Sequence, residues 1–188
     1  IADTVFLRRT FLSLAGRLPS ILESEGFLSS KSTMKRSELI SKLLKSTAYN
    51  SHTFNYWADI LRLIENYAAK VYTHSYQLWL KESIASNKPY DKMVNELVGS
   101  SGFIWEDGAV AYYARDRGMP LDNMANTVRI FLGVRLECAQ CHDHPFDKWT
   151  QKDFYQMAAF TSSLDIKYKR ENVSRTGKYM RDKTFNEI

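Results

Sequence analysis

Apolar positions along most of the chain recur at spacings of three and four, the pattern of helices that bury one face. Phe6, Leu7, Phe11, Leu12 and Leu14 make the first stripe. Asp3 is placed to cap it, and Gly16 and Pro19 to end it. Ser20 predicts a short helix through Leu28, interrupted at Gly26. Ser32 or Thr33 predicts the start of a third, striped by Leu39, Ile40, Leu43 and Leu44. The clearest amphipathic run covers 51–67, with Phe54, Trp57, Leu61 and Ile64 on one side and Asp59, Arg62 and Glu65 off it. Asp59 and Arg62, three apart, suit a surface ion pair. Tyr76, Trp79, Leu80 and Ile84 predict a helix over 74–86. Asn87-Lys88-Pro89 breaks it, and Pro89 suits the first turn of a helix reaching Val98.

Residues 99–108 read as a loop containing Trp105, and 109–115 as a short helix. Pro120 opens a helix through Met124, Val128 and Phe131, and Gly133 ends it. Thr150-Gln151-Lys152-Asp153 has the form of a capping box with Asp in place of the usual Glu. The helix it starts carries Phe154, Met157, Ala158 and Phe160. After Leu164 the pattern changes. Lys167-Tyr168-Lys169 and Lys178-Tyr179-Met180 alternate around Thr176-Gly177, as in a small hairpin or a frayed tail. The expected fold is mainly α: one multi-helix domain over 1–164 and a charged C-terminal appendage over 165–188.

Composition sharpens this picture. At 188 residues, with 44% hydrophobic and 25% charged, the chain has enough apolar surface for one good core. No apolar run approaches the roughly 18 residues that cross a bilayer, so no transmembrane segment is expected. The net charge of +5 suits an anionic cofactor or acidic partner. Much of the basic excess lies toward the C-terminus rather than in one compact motif, so nucleic acid is not expected as a partner.

The cysteines carry the chemistry. The chain has two, Cys138 and Cys141, and His142 follows directly. Cys138-Ala139-Gln140-Cys141-His142 is C-x-x-C-H, the attachment signature of a c-type haem. Two intervening residues let both sulfurs face one edge of the macrocycle, and the adjoining imidazole reaches the iron as proximal ligand. The second ring nitrogen of His142 then needs an acceptor, a carbonyl, Asp143 or Asp147, with His144 as further support beside Asp147. Arg135, Lys148 and Trp149 lie close enough in sequence to hold the haem propionates. Met119, between Gly118 and Pro120 in a turn, is the candidate distal ligand, with Met124, Met157, Met180, His52, His74 and His144 behind it. Met124 and Met157 fall on core stripes, where gap-filling is the commoner use of Met. Other readings stay open. Cys138, Cys141, His142 and His144 supply a two-sulfur, two-nitrogen zinc set, although the histidines are closer together than zinc ligands usually are. A redox dithiol or an unligated pair of thiols also fits the spacing.

Several separate stretches share a resemblance. Phe6-Leu7-Arg8-Arg9, Leu14-Ala15-Gly16-Arg17-Leu18-Pro19, Trp57-Ala58-Asp59-Ile60-Leu61-Arg62 and Asn87-Lys88-Pro89-Tyr90-Asp91 come first. The run from Phe131 to Asp147, then Trp149-Thr150-Gln151 and Asp153-Phe154-Tyr155, complete it. Together these resemble the planctomycete-type cytochrome c proteins, in their domain of unknown function with a single C-x-x-C-H motif. The resemblance implies one covalent haem c and a periplasmic or otherwise exported protein, because haem is attached outside the cytoplasm. It also implies that the natural protein is longer, with a further domain or a redox partner protein to work against. On that basis the expected function is a mono-haem domain in electron transfer. The competing classes are a haem enzyme with an open iron position acting on peroxide or a small substrate, and a zinc-stabilised structural domain.

Overall fold

The structure, a computed structural model, describes residues 1–63, 66–67, 71–104, 106–116 and 119–162. Ile64, Trp105, Met180 and the whole appendage over 165–188 lie outside the described residues. The fold is mainly α, as the periodicity predicts. Among the described residues, eight α-helices follow in order: α1 (Asp3–Ala15), α2 (Ile21–Ser29), α3 (Lys35–Leu44), α4 (Thr47–Ile60), α5 (His74–Ala85), α6 (Tyr90–Gly99), α7 (Pro120–Leu132) and α8 (Gln151–Ser162). Two-residue strands β1 (Asn66–Tyr67) and β2 (Val71–Tyr72) pair antiparallel between α4 and α5. A 3-10 helix, Gly108–Asp116, precedes α7, and a short 3-10 turn, Glu137–Gln140, follows it. Among the described residues, no helix is long and apolar enough to cross a membrane.

Among the described residues, buried side chains gather in three clusters. Leu7, Phe11 and Ala15 of α1, spaced by four, close on Phe27 of α2 and Leu43 of α3. The second cluster forms around the Gly108–Asp116 helix, whose residues from Ala109 to Asp116 are all buried between α5, α6 and α7. Small residues make this possible. Ala109, Ala111 and Ala114 leave room for neighbouring helices, while Val110, Tyr112 and Tyr113 fill the gaps. Burial pushes the Tyr113 hydroxyl up to about 12, and that hydroxyl donates to the Val98 carbonyl. The third cluster holds Met124, Ala125 and Val128 of α7 against Phe154 and Ala158 of α8, with Leu136 and Ala139 between them.

Local signals fare unevenly. Ser20 caps α2 with the full reciprocal box to Glu23, but Gly26 does not interrupt that helix. Asp3 lies inside α1, not at its cap, and binds Lys35 and Arg36 from α3 instead. Ser32 organises the turn before α3 through the Met34 amide, while Met34 itself takes the cap position. The run expected over 51–67 stops at Ile60. Its stop is not written as glycine: Arg62 takes the left-handed conformation, φ 54°, and its guanidinium reaches Asp116 rather than pairing with Asp59 on the surface.

Two glycines test the packing in opposite directions. A Cβ on Gly108 would collide with the Ser75 carbonyl and with Cβ of Trp79, whereas a Cβ on Gly26 would meet open space within its helix. Gly108→Ala is expected to destabilise by about 2 kcal/mol or more. Gly26→Ala should stabilise by about 0.5–1 kcal/mol. Urea unfolding of both variants checks the pair, and equal effects would contradict this packing.

Candidate functional site

The C-x-x-C-H segment hangs from the C-terminal end of α7. Gly133, at φ 68°, ends that helix in the left-handed conformation that glycine takes without a Cβ penalty. The chain then crosses the end of the helix pair and enters the 3-10 turn Glu137–Gln140. Leu136 and Ala139 face inward and are buried, and the Ala139 amide donates to the Leu136 carbonyl at 2.9 Å. Ala139 lies between the two cysteines in sequence. Ala139 is buried, and Cys138 and Cys141 are both exposed and unbridged.

A set of hydrogen bonds ties this turn to the start of α8. Asp143 accepts the Gln151 amide on Oδ1 at 2.8 Å. The Gln151 side chain donates to the Gln140 carbonyl at 3.1 Å, and the Tyr155 hydroxyl donates to the same carbonyl at 3.3 Å. Thr150 and Asp153 form the expected box: Asp153 accepts the Thr150 amide and hydroxyl, and the Asp153 amide donates to Thr150 Oγ1. Those two bonds from Thr150 hold the Asp153 carboxyl below its ordinary range.

His142 is oriented from within its own loop. His142 Nδ1 lies 2.6 Å from the Asp143 carbonyl oxygen. A carbonyl only accepts, so Nδ1 carries the proton and the lone pair of neutral His142 is on Nε2, the nitrogen a metal would take. Of the acceptors expected for this ring, the backbone carbonyl is the one used, while the Asp143 carboxylate caps α8. Asp147 and His144 are not paired. Asp147 accepts the Lys148 amide, and His144 accepts the Phe146 amide on Nδ1 while its own amide donates to the Trp149 carbonyl. The loop is thereby folded on itself, with Phe146 at its tip 94% exposed.

The remaining expected residues are distributed unevenly. Lys148 holds its ammonium 5.2 Å from the Trp149 ring, and Trp149 packs on the Phe154 cluster, so these two stand together beside the loop. Arg135 is exposed just before the turn. Met124 is buried in the core beneath the turn and Met157 packs against that core. The His52 ring lies against Gly16 in the first cluster's surroundings, and His74 is the first residue of α5. Met119 is not brought to His142. It precedes Pro120, so α7 separates it from the turn by about 20 Å of helix. The Thr161 hydroxyl at the far end of α8 donates to the Pro120 carbonyl, confirming that Met119 and the cysteines occupy opposite ends of the α7–α8 pair. Among the described residues, no group of three or more His, Cys, Asp or Glu side chains gathers closely enough to hold a metal ion, so the four-ligand zinc set is not assembled. Gln151 and Tyr155 were not legible as site residues. Their role depends on which carbonyl a neighbouring turn presents, and that is set by tertiary packing.

A family model described as PSCyt2, protein of unknown function (DUF1549), matches residues 1–165. No curated protein and no solved structure matches the chain.

Asp143→Ala is expected to lower stability by about 1 kcal/mol by freeing the Gln151 amide, whereas Asp147→Ala should change it by less than about 0.5 kcal/mol. Urea unfolding separates them. The Asp153 carboxyl is depressed in the folded chain, so its contribution is complete above its unfolded value and is lost as pH falls below about 4. Asp153→Asn should therefore flatten the acid limb of a stability–pH profile, and an unchanged limb would contradict the box.

Proposed function

We propose that this chain, which belongs to the PSCyt2 family of unknown function, is a mono-haem c-type cytochrome domain of a larger exported protein, working in electron transfer. One observation carries the reading. Two exposed thiols flank a buried alanine, and the adjoining histidine has its Nδ1 proton committed to a carbonyl. This donor set fits a c-type haem. Cys138 and Cys141 would tether it through thioethers, each sulfur joining one vinyl carbon while the thiol hydrogen goes to the other. His142 would bind the iron through Nε2, its ring held by the Asp143 carbonyl. Such a haem supplies one-electron exchange. The protein's share is to orient the imidazole, through a turn fixed on α8 by Asp143, Gln151 and Tyr155. Lys148, Trp149 and Arg135 are the residues nearest in sequence to meet the propionates.

The position of Met119 favours a second reading. With that thioether at the far end of α7, Met119 would not reach a haem held by His142, which fits a haem enzyme acting on peroxide or a small substrate.

Spectroscopy of protein produced with a haem-attachment system tests both. The pyridine haemochrome band is expected at the position for two thioethers in the full chain and for one in Cys138→Ser or Cys141→Ser. A low-spin ferric spectrum with slow cyanide binding supports electron transfer. A high-spin spectrum with rapid binding supports the open site. A colourless protein carrying one zinc would contradict both.

A further inference from the structure

Of the nine residues of α2, only Phe27 is buried. Ile21 and Leu22 are 77% and 81% exposed, so most of the apolar surface of this helix faces water. A groove of about 510 Å3 runs beside it, between α2 and α3 and over α1. Phe11 and Phe27 are buried members of the groove wall. Leu22, Gly26, Glu38 and Lys42 are its exposed members.

Gly26 is the second observation. Glycine within a helix costs stability relative to alanine. Nothing inside this chain calls for it. Its backbone does not take a positive φ, and a Cβ there would meet no atom within 4 Å. Neither a turn nor internal packing explains the missing side chain. A glycine in this condition, lining a groove, leaves room for a close approach from outside.

We propose that α2 and its groove form a two-fold interface with a second copy of this chain, the two α2 helices lying antiparallel. A two-fold interface uses one patch twice, so each projection needs its hollow on the same surface. Leu22 and Gly26 meet that condition. They stand one turn apart on α2 and line the same groove, one a projecting side chain and the other a gap. Antiparallel pairing seats Leu22 of each copy over Gly26 of the other. The charges match in the same way. Glu38 and Lys42 stand one turn apart on α3 and line that groove. A two-fold axis running across both helices brings Glu38 of each copy to Lys42 of the other. An interface built on one nine-residue helix and its groove is small, so the dimer is reversible, with a dissociation constant of about 10–100 μM. The groove takes no residue from α7 or α8, so association does not depend on haem attachment.

Sedimentation of the full chain, with and without haem attached, tests this over concentrations from about 1 μM to 1 mM. A monomer–dimer equilibrium is expected in both forms. Leu22→Glu and Gly26→Leu should each weaken it by about tenfold or more, one by removing the projection and the other by filling the gap. Both positions are exposed and both new residues suit a helix, so an unchanged circular dichroism spectrum is expected. Glu38→Lys and Lys42→Glu should each weaken self-association by about threefold or more, and mixing these two variants should restore a dimer containing one chain of each. A monomer at every concentration, a dimer that folded Leu22→Glu and Gly26→Leu leave unchanged, or no pairing in the mixture would each overturn the proposal.

Discussion

Ala139 has no exposed surface, and the way the chain presents Cys138, Cys141 and His142 depends on that burial. The residue is small enough to enter the space between α7 and α8 beside Leu136, Phe154 and Ala158. A larger side chain would overpack a site already filled, and a polar one would be desolvated without a partner. With Ala139 inward, Cys138 and Cys141 are exposed while Gln140 is half-buried. Two thiols and an imidazole are therefore presented on the outer surface of a turn whose inner surface is part of the core.

The α7–α8 pair has a different task at each end. At one end α8 begins on the Thr150 box, and its first residues bind the Gln140 carbonyl and the Asp143 carboxylate, so the helix start and the cysteine turn form one unit. At the other end Thr161 closes on Pro120, and the chain before α7 buries Arg115 and Asp116. Burial works against the charge of Arg115, and Tyr112 and Asp116 outweigh it, so the guanidinium keeps its charge. About 20 Å of helix separates the two ends. A disturbance at either should leave the other largely intact, as expected for sites that share no contacts.

Helices were legible wherever apolar spacing and a cap agreed. Ser20 with Glu23, Pro120 with Gly133, and Thr150 with Asp153 all mark the ends they predict. The signals fail where a long-range contact decides. The helix expected to run past Ile60 ends because Arg62 turns to Asp116, 54 residues away, which no local pattern records. Asp3 and Arg36 are likewise joined across 33 residues. The cysteines and His142 were legible as a motif because their chemistry depends on spacing alone. Asp143 was expected to support the His142 ring and its carboxylate instead takes the Gln151 amide, while the roles of Gln151 and Tyr155 were not legible, as they follow from how the loop folds back on α8. Arg115 was legible only as the last residue of the short helix expected over 109–115, and its burial beside Asp116 follows from tertiary packing.

The account stands on Cys138 and Cys141 being points of covalent attachment. Peptide mass mapping of natively matured protein addresses this most directly. A single proteolytic fragment spanning both cysteines, carrying the mass of one porphyrin bonded through both sulfurs, is the predicted result. The same fragment recovered from that material with both thiols free would contradict it.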